Sequence, residues 1–224
     1  MTNKTITIDV ISDVVCPWCF VGRKRLQQAL SMLPDIDARV QWRPFMLDPT
    51  LPPQGKDRQS YLREKFGTGS KIDEIHKQLT QMGEENDIYF DFDAISRSPN
   101  TLNAHRVIYW AAQAAPDAQD KVVGELFSFY FEQGLDIGKE DVLVDAATRA
   151  GMEGPVIARL LQSDIDADTI REEIDTANRM GVRGVPCFIV DHKYALMGAQ
   201  NAEVLADAIR QTAEGFEPGI TEDR

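Results

Sequence analysis

Four residues near the N-terminus, Cys16-Pro17-Trp18-Cys19, follow an apolar run over 6–15 directly and precede a helical pattern directly. This order constrains the fold more than the four letters alone. A strand would carry Cys16 to the positive end of a helix, where unpaired amide N–H groups and the macrodipole favour an anion. Cysteines at such positions are acidified from ~8.5, which makes Cys16 the expected nucleophile. Cys19, one turn later on the same face, is placed to attack a mixed disulfide and resolve it. Pro17 suits the first helical turn, where its missing N–H would have had no helical partner. The residues therefore point to dithiol–disulfide exchange.

Half of a metal site is the alternative reading. Structural zinc or an iron–sulfur cluster usually needs four cysteine or histidine ligands. The chain has Cys16, Cys19 and Cys187 with His76, His105 and His192, and neither a second Cys-x-x-Cys nor a His-x3-His. No metal is expected. A purely structural disulfide is also disfavoured, because so short a loop restricts the unfolded chain little.

The remaining strands and helices are read from periodicity. Gly22, Leu26, Ala29, Leu30 and Leu33 fall at helical spacing up to Pro34-Asp35, and 39–45 reads as a second strand. The unit is β-α-β, with its two strands parallel. A proline-rich loop over 46–56 marks a change of architecture. Helical patterns follow over 61–66 and 71–85, with a brief extended piece over 88–92. Ser98-Pro99-Asn100 is expected to start a helix, Ser98 as cap and Pro99 in the first turn. Further helical stretches run through Tyr109, through Val122 to Tyr130, and over 139–150, 155–161 and 168–180. Strands are expected after Pro186 and over 194–197, around a turn at His192-Lys193. A last helix over 201–212 should face Val204, Leu205, Ala208, Ile209 and Thr212 inward, before a polar, fraying tail over 215–224. The fold class is α/β: thioredoxin-like β-α-β and α-β-β-α units interrupted by helices. The expected domains are a thioredoxin-like one (1–56 and 166–224) and a helical insertion (57–165).

Composition excludes several partners. In 224 residues, 24 basic and 36 acidic side chains leave a net charge of −12 with no basic run, so nucleic acid and anionic membrane surfaces are disfavoured. No stretch approaches the ~20 apolar residues of a membrane span. The first residues run into the first strand without an apolar signal segment, and three cysteines are sparse for an exported disulfide scaffold. The expected compartment is the cytoplasm. The aromatic run Phe127, Phe129, Tyr130 and Phe131 cannot all face one core from one helix, which suggests a homodimer.

Asp13-x-x-Cys16-Pro17-Trp18-Cys19 resembles the active site of the DsbA family of thioredoxin-fold oxidoreductases, and within it the FrnE-like branch. Ser98 to Arg106, and Gly181-Val182-Arg183-Gly184-Val185-Pro186 with the later Gly198-Ala199-Gln200, are similar to that branch as well. The resemblance implies a cis Pro186 facing the cysteines, with the Val185 backbone free to pair with an extended polypeptide or thiol substrate. It also brings the helix of Asn100, Asn103 and His105 near the cysteine pair as candidate substrate contacts, beside Pro17 and Trp18. His105 otherwise reads as a half-buried helical histidine. Trp18 is expected to be exposed, Trp42 and Trp110 to be core, and His76 and His192 to face solvent. Cys187 stands where the branch usually lacks a cysteine. Alternation turns it away from Pro186, as an inert buried thiol rather than a third redox partner.

The expected activity is cytoplasmic thiol–disulfide exchange or isomerisation on a protein or small-molecule thiol or disulfide. No cofactor is tightly bound, and glutathione enters as a redox co-substrate. The couple should be less oxidising than the Pro-His version of the motif. Two other classes stay open. The 2-hydroxychromene-2-carboxylate isomerases and kappa-class glutathione transferases resemble the chain in their Asn-Thr-x-x-Ala-His stretch, although they typically have serine first in the active site. The other is a binding module that captures peptides at Val185-Pro186 without turnover.

Overall fold

The structure, a computed structural model, describes residues 4–67, 69–115 and 117–215. The tail over 216–224, expected to fray, lies outside them. β1 (Lys4–Ser12), α1 (Pro17–Ser31) and β2 (Ile36–Pro44) form the first unit, with β1 and β2 parallel in register from Lys4↔Ile36 to Ser12↔Pro44. Next come β3 (Lys56–Asp57), α2 (Arg58–Phe66), α3 (Gly69–Glu84), β4 (Arg97–Ser98), α4 (Leu102–Ala114), α5 (Ala118–Phe131), α6 (Glu140–Arg149) and α7 (Gly154–Leu161). The chain returns through α8 (Ala167–Arg179), β5 (Cys187–Val190), β6 (Tyr194–Met197) and α9 (Ala202–Glu214). The sheet order is β2-β1-β5-β6, with β5 antiparallel to both neighbours.

Strand alternation sorts the sheet into two faces. Ile6, Ile8, Val10, Phe188 and Val190 join the core under α1 and α9, while Ile11 and Cys187 pack with Phe45, Val182 and Ala177 of α8. Both faces of β1 are thus covered, which suits its nearly continuous apolar sequence. Cys187 lies on the α8 face, across the sheet from α1.

Four local expectations differ from the structure. Ser98 does not cap a helix, because it pairs with Lys56 in the two-strand ladder of β3 and β4. The helix begins at Leu102, whose N–H is accepted by Asn100 Oδ1 at 3.0 Å. Residues 88–92 join no ladder; Asp91 N–H reaches Phe131 O at 2.8 Å instead. In α9, Val204 is exposed and Ala206 buried, since the inward stripe runs Ala202, Leu205, Ala206, Ile209, Thr212 and Ala213. His76 does not face solvent freely: it is half-buried and stacks on Phe92 with centroids 4.1 Å apart. His192 is exposed, 3.3 Å from Asp9.

The argument for a homodimer from the aromatic run also fails. Phe127, Phe129, Tyr130 and Phe131 are all buried within one chain. An apolar ring is buried where partners enclose it, and each of these four has one. Phe127 stacks on Phe20 of α1 at 5.0 Å, Phe131 meets Phe90, Arg149 of α6 lies over Phe129, and Tyr130 O–H donates to Arg97 O at 3.0 Å. One connected set of buried side chains therefore runs from Val10 and Phe188 through Phe20 into Leu143 and Ile157. Buried Arg106 ties α4 to the chain leading into α8 by donating to Leu160 O, Ser163 O and Ile165 O.

Candidate active site

Cys16 is the N-cap of α1, with extended backbone (φ −95°, ψ 112°) and Pro17 opening the helix. Its N–H bonds Asp13 O at 3.0 Å, and its own carbonyl accepts from Cys19 N–H and Phe20 N–H. The turn thus hands the strand to the helix with the Cys16 side chain at the helix's positive end. The thiol donates to Val185 O, with Sγ···O at 3.7 Å. Cys16 is only 2 % exposed and Cys19 wholly buried. Both are free thiols.

The two thiols have different surroundings. Burial pushes the Cys19 thiol well up, and the neighbouring Cys16 raises it further; the Ser12 hydroxyl and the Asp13 backbone work in the opposite direction. Ser12 is itself buried, and its Oγ has no nitrogen or oxygen partner among the described residues. Cys19 is therefore a thiol whose surroundings favour keeping its proton. Burial also pushes the Cys187 thiol up.

The Val185–Pro186 peptide is cis. Its position across from α1 depends on Gly22: a Cβ there would stand 2.9 Å from Pro186 Cγ and 3.1 Å from Phe188 Cζ. The Gly198 segment braces the same corner. Gly198 N–H donates to Pro186 O at 2.8 Å, and Arg25 donates to Ala199 O at 2.6 Å. The stretches singled out in the sequence over 13–19, 181–186 and 198–200 thus come together at one corner of the sheet, with Gly22 and Arg25 of α1 between them.

Trp18 is 39 % exposed, while Trp42 and Trp110 are buried. Pro17 and Trp18 form one wall of a cavity of about 350 Å³ whose other walls come from the 47–51 loop, α2, α3, Phe92 and Tyr130. His105, Asn100 and Asn103 are not among its lining. His105 is buried with Nε2 2.8 Å from Phe45 O, Asn100 Nδ2 donates to Leu51 O, and Asn103 Oδ1 accepts from Arg106. The ionisable residues of its lining include Asp13, Asp48, Arg58, Tyr61, Lys65 and His76. Asp48, Arg58, Tyr61 and Lys65 did not stand out in the sequence, and His76 was expected to face solvent. The available signal was α2 itself, where Tyr61, Leu62 and Phe66 sit on a helix with no fully buried residue. A larger cavity, about 1180 Å³, follows the edge of β2 and is not lined by the cysteine motif.

One ion pair lies within the smaller cavity's lining, Lys65 with Asp48. Burial opposes ionisation of Asp48, but hydrogen bonds from Thr50 and Lys65 hold its carboxyl down at about 2. Burial and then the Asp48 charge push the Tyr61 phenol up. Burial and the charge of Arg58 push His76 down. Arg58 donates to Tyr130 Oη at 2.9 Å, and Lys65 lies 3.1 Å from Asp48. Asp13, 1 % exposed, accepts from Leu47 N–H through Oδ2, while its Oδ1 has no hydrogen-bond partner among the described residues. His105 Nε2, 3.5 Å from that oxygen, is too far for a good hydrogen bond. Among the described residues no three His, Cys, Asp or Glu side chains are grouped as metal ligands would be, and no helix is long and apolar enough to cross a membrane.

The chain is similar to known proteins. The DSBA-like thioredoxin domain matches residues 7–210. The chain is 26% identical over 206 residues to the uncharacterized protein YwbO of Bacillus subtilis, covering 92% of this chain and 96% of that one. It is 24% identical over 205 residues to glutathione S-transferase kappa 1 of Rattus norvegicus, covering 89% and 88%. The crystal structure of a probable DsbA oxidoreductase from Streptomyces coelicolor superposes with a TM-score of 0.84 at 25% identity, over 96% of this chain and 93% of that one.

Proposed function

The chain belongs to the DSBA-like thioredoxin domain family, and from that premise we propose that it is a cytoplasmic thiol–disulfide oxidoreductase of the FrnE-like branch. The observation that carries the reading is the asymmetric pair: Cys16 at the helix N-terminus under Val185 O, and Cys19 buried one turn on with its proton held.

The Cys16 thiolate attacks one sulfur of a substrate disulfide. That S–S bond breaks, a mixed disulfide forms, and the departing thiolate takes up a proton. Joining Cys16 to the substrate removes the neighbouring group that raised Cys19. Cys19 then gives up its proton and attacks Cys16 Sγ, releasing the second substrate thiol. The substrate gains two electrons and the protein keeps a Cys16–Cys19 disulfide. Two glutathione thiols return it to the dithiol as they become glutathione disulfide. Pro17 and Trp18 form the lip, and the Val185 backbone before Pro186 offers an edge to an extended polypeptide. The substrate is a protein or small-molecule thiol or disulfide, and neither nucleic acid nor a membrane is a partner. No cofactor is held tightly. The sparse cysteine content supports the cytoplasmic assignment, and a homodimer stays part of the proposal without the aromatic-run argument.

A glutathione redox titration of the purified protein tests this. The expected result is a reversible two-electron transition trapped at Cys16 and Cys19, with a potential more reducing than the ~−120 mV of DsbA. Absence of that disulfide at every poise would overturn the reading. The likeness to a kappa glutathione transferase favours one second reading, glutathione-dependent isomerisation or transfer. Isomerase turnover that survives Cys16→Ser would establish it instead.

A further inference from the structure

The free edge of β2 is closed at one end and open at the other. Gln119 bonds both the N–H and the C=O of Trp42, so these backbone groups point away from β1. Alternation along a strand turns the backbone groups of Ala38 and Val40 the same way. Both residues line the groove of about 1180 Å³ that follows this edge, and among the described residues no group bonds to them there. The Ile36 N–H is taken by Leu33 O at 3.1 Å, which leaves the Ile36 carbonyl. The stretch open to pairing is therefore Ile36-Asp37-Ala38-Arg39-Val40. Ile36, Ala38 and Val40 lie half-buried against the core beside Leu30 of α1, while Asp37 and Arg39 are exposed on the other face. Within its own chain Asp37 accepts only through Oδ2, from the Thr5 hydroxyl at 3.0 Å.

This stretch is complementary to itself when reversed. Laid antiparallel with Ala38 opposite Ala38 of a second copy, it sets Asp37 opposite Arg39 and Ile36 opposite Val40, each twice by symmetry. The two Ala38 residues then exchange N–H···O bonds, and each Val40 N–H reaches the Ile36 carbonyl of the other copy. Asp37 and Arg39 fall at a non-hydrogen-bonded position, where facing side chains stand closest and opposite charges attract. Neighbouring registers are worse. Centring on Asp37 or on Arg39 sets like charges opposite each other. Centring on Val40 needs the Trp42 groups that Gln119 holds, so Gln119 limits the edge to one register. We infer that the open end of β2 is a homodimer interface, at which two copies of this chain join their sheets through antiparallel β2 strands centred on Ala38. The inference gives the proposed homodimer its surface and rests on no step of the thiol exchange. Ile36 stands beside Lys4, whereas Cys16 follows Ser12 at the far end of β1. Both cysteine motifs thus stay clear of the interface.

Sedimentation equilibrium on the full chain tests this. The wild type should be a dimer. Asp37→Arg alone, or Arg39→Asp alone, sets like charges opposite each other on both sides of the twofold, and each should weaken dimerisation at least ~10-fold. Combining Asp37→Arg with Arg39→Asp should return the constant to within ~3-fold of the wild type. Ala38→Pro removes an outward N–H and leaves the ladder to β1 intact. It should give a monomer with unchanged circular dichroism and an unchanged rate of disulfide exchange. If that variant does not fold, the charge series decides alone. A wild type that is monomeric at every concentration reached overturns the inference and leaves the edge to a segment of another protein. A dimer indifferent to Ala38→Pro and to both single charge changes overturns it as well, as does a double variant that stays weakened. Failure of the redox titration with the dimer intact removes the oxidoreductase reading alone.

Discussion

At the scale of single residues, the site depends on a few side chains that admit little change. Gly22 is one. A methyl group there would press on Pro186 Cγ at 2.9 Å, and the cis-proline corner is braced from behind by Gly198. Overpacking of this kind costs about 1–3 kcal/mol. Gly22→Ala should lower the urea midpoint accordingly and slow exchange as well, since Pro186 must shift; a variant with unchanged midpoint and rate would refute the contact. Cys19 gives a pH prediction. Its thiol is raised in the folded chain, so as pH climbs past the ordinary thiol range of ~8.5 the unfolded chain loses that proton first. Stability from this group is complete below that range and is lost as pH rises through it. The urea midpoint should fall from about pH 7 to about pH 10, and less steeply in Cys19→Ala. The pair itself was legible in the sequence because its spacing carries its chemistry. The Asp13 side chain was not, because nothing in a single sequence tells a buried carboxylate oxygen that lacks a partner from one that has one.

At the scale of elements, β2 is an edge strand, and nine residues of unpaired edge would invite association. Gln119, just inside α5, covers part of it: its Oε1 accepts from Trp42 N–H at 2.9 Å and its Nε2 donates to Trp42 O at 3.1 Å, as a neighbouring strand would. Gln119→Ala removes two hydrogen bonds, an expected loss of about 1–3 kcal/mol. It should also produce concentration-dependent association in sedimentation velocity. A monodisperse, equally stable variant would show that the amide does not protect the edge. Periodicity located most helices and strands. It misplaced the start of α4, because Ser98-Pro99-Asn100 carries strong capping residues that tertiary pairing with Lys56 claims first. It overlooked the use of α2 because a helix whose apolar residues line a cavity has no buried stripe to detect.

For the whole molecule, the helical insertion and the sheet share one core through Phe20, which stacks on Phe127 and meets Phe90 edge-on. The helix that carries Cys19, α1, is thus packed from both sides. Unfolding should be a single cooperative transition followed alike by far-ultraviolet and tryptophan signals. Phe127→Ala should lower stability by about 3–5 kcal/mol while keeping one transition. Two separated transitions in the wild type would show that the insertion folds on its own. The reach of this core was hidden in the sequence for a reason of scale. A run of four aromatics looks excessive for one helix until α1, α6 and residues 88–98 are seen to enclose it, and those contacts are set by topology rather than by local pattern.

The hydrogen bond from the Cys16 thiol to Val185 O gives the resting protein its own competitor. That carbonyl belongs to the edge on which an extended substrate would lie, so an arriving backbone N–H and the thiol proton contend for one acceptor. In the proposed reaction a docked chain would share or take that acceptor, and an undocked disulfide would have to reach a sulfur that is only 2 % exposed. Selectivity of this kind would be kinetic: under the proposed function, the sulfur would be reached more readily by a chain that fits the edge than by small oxidants that do not.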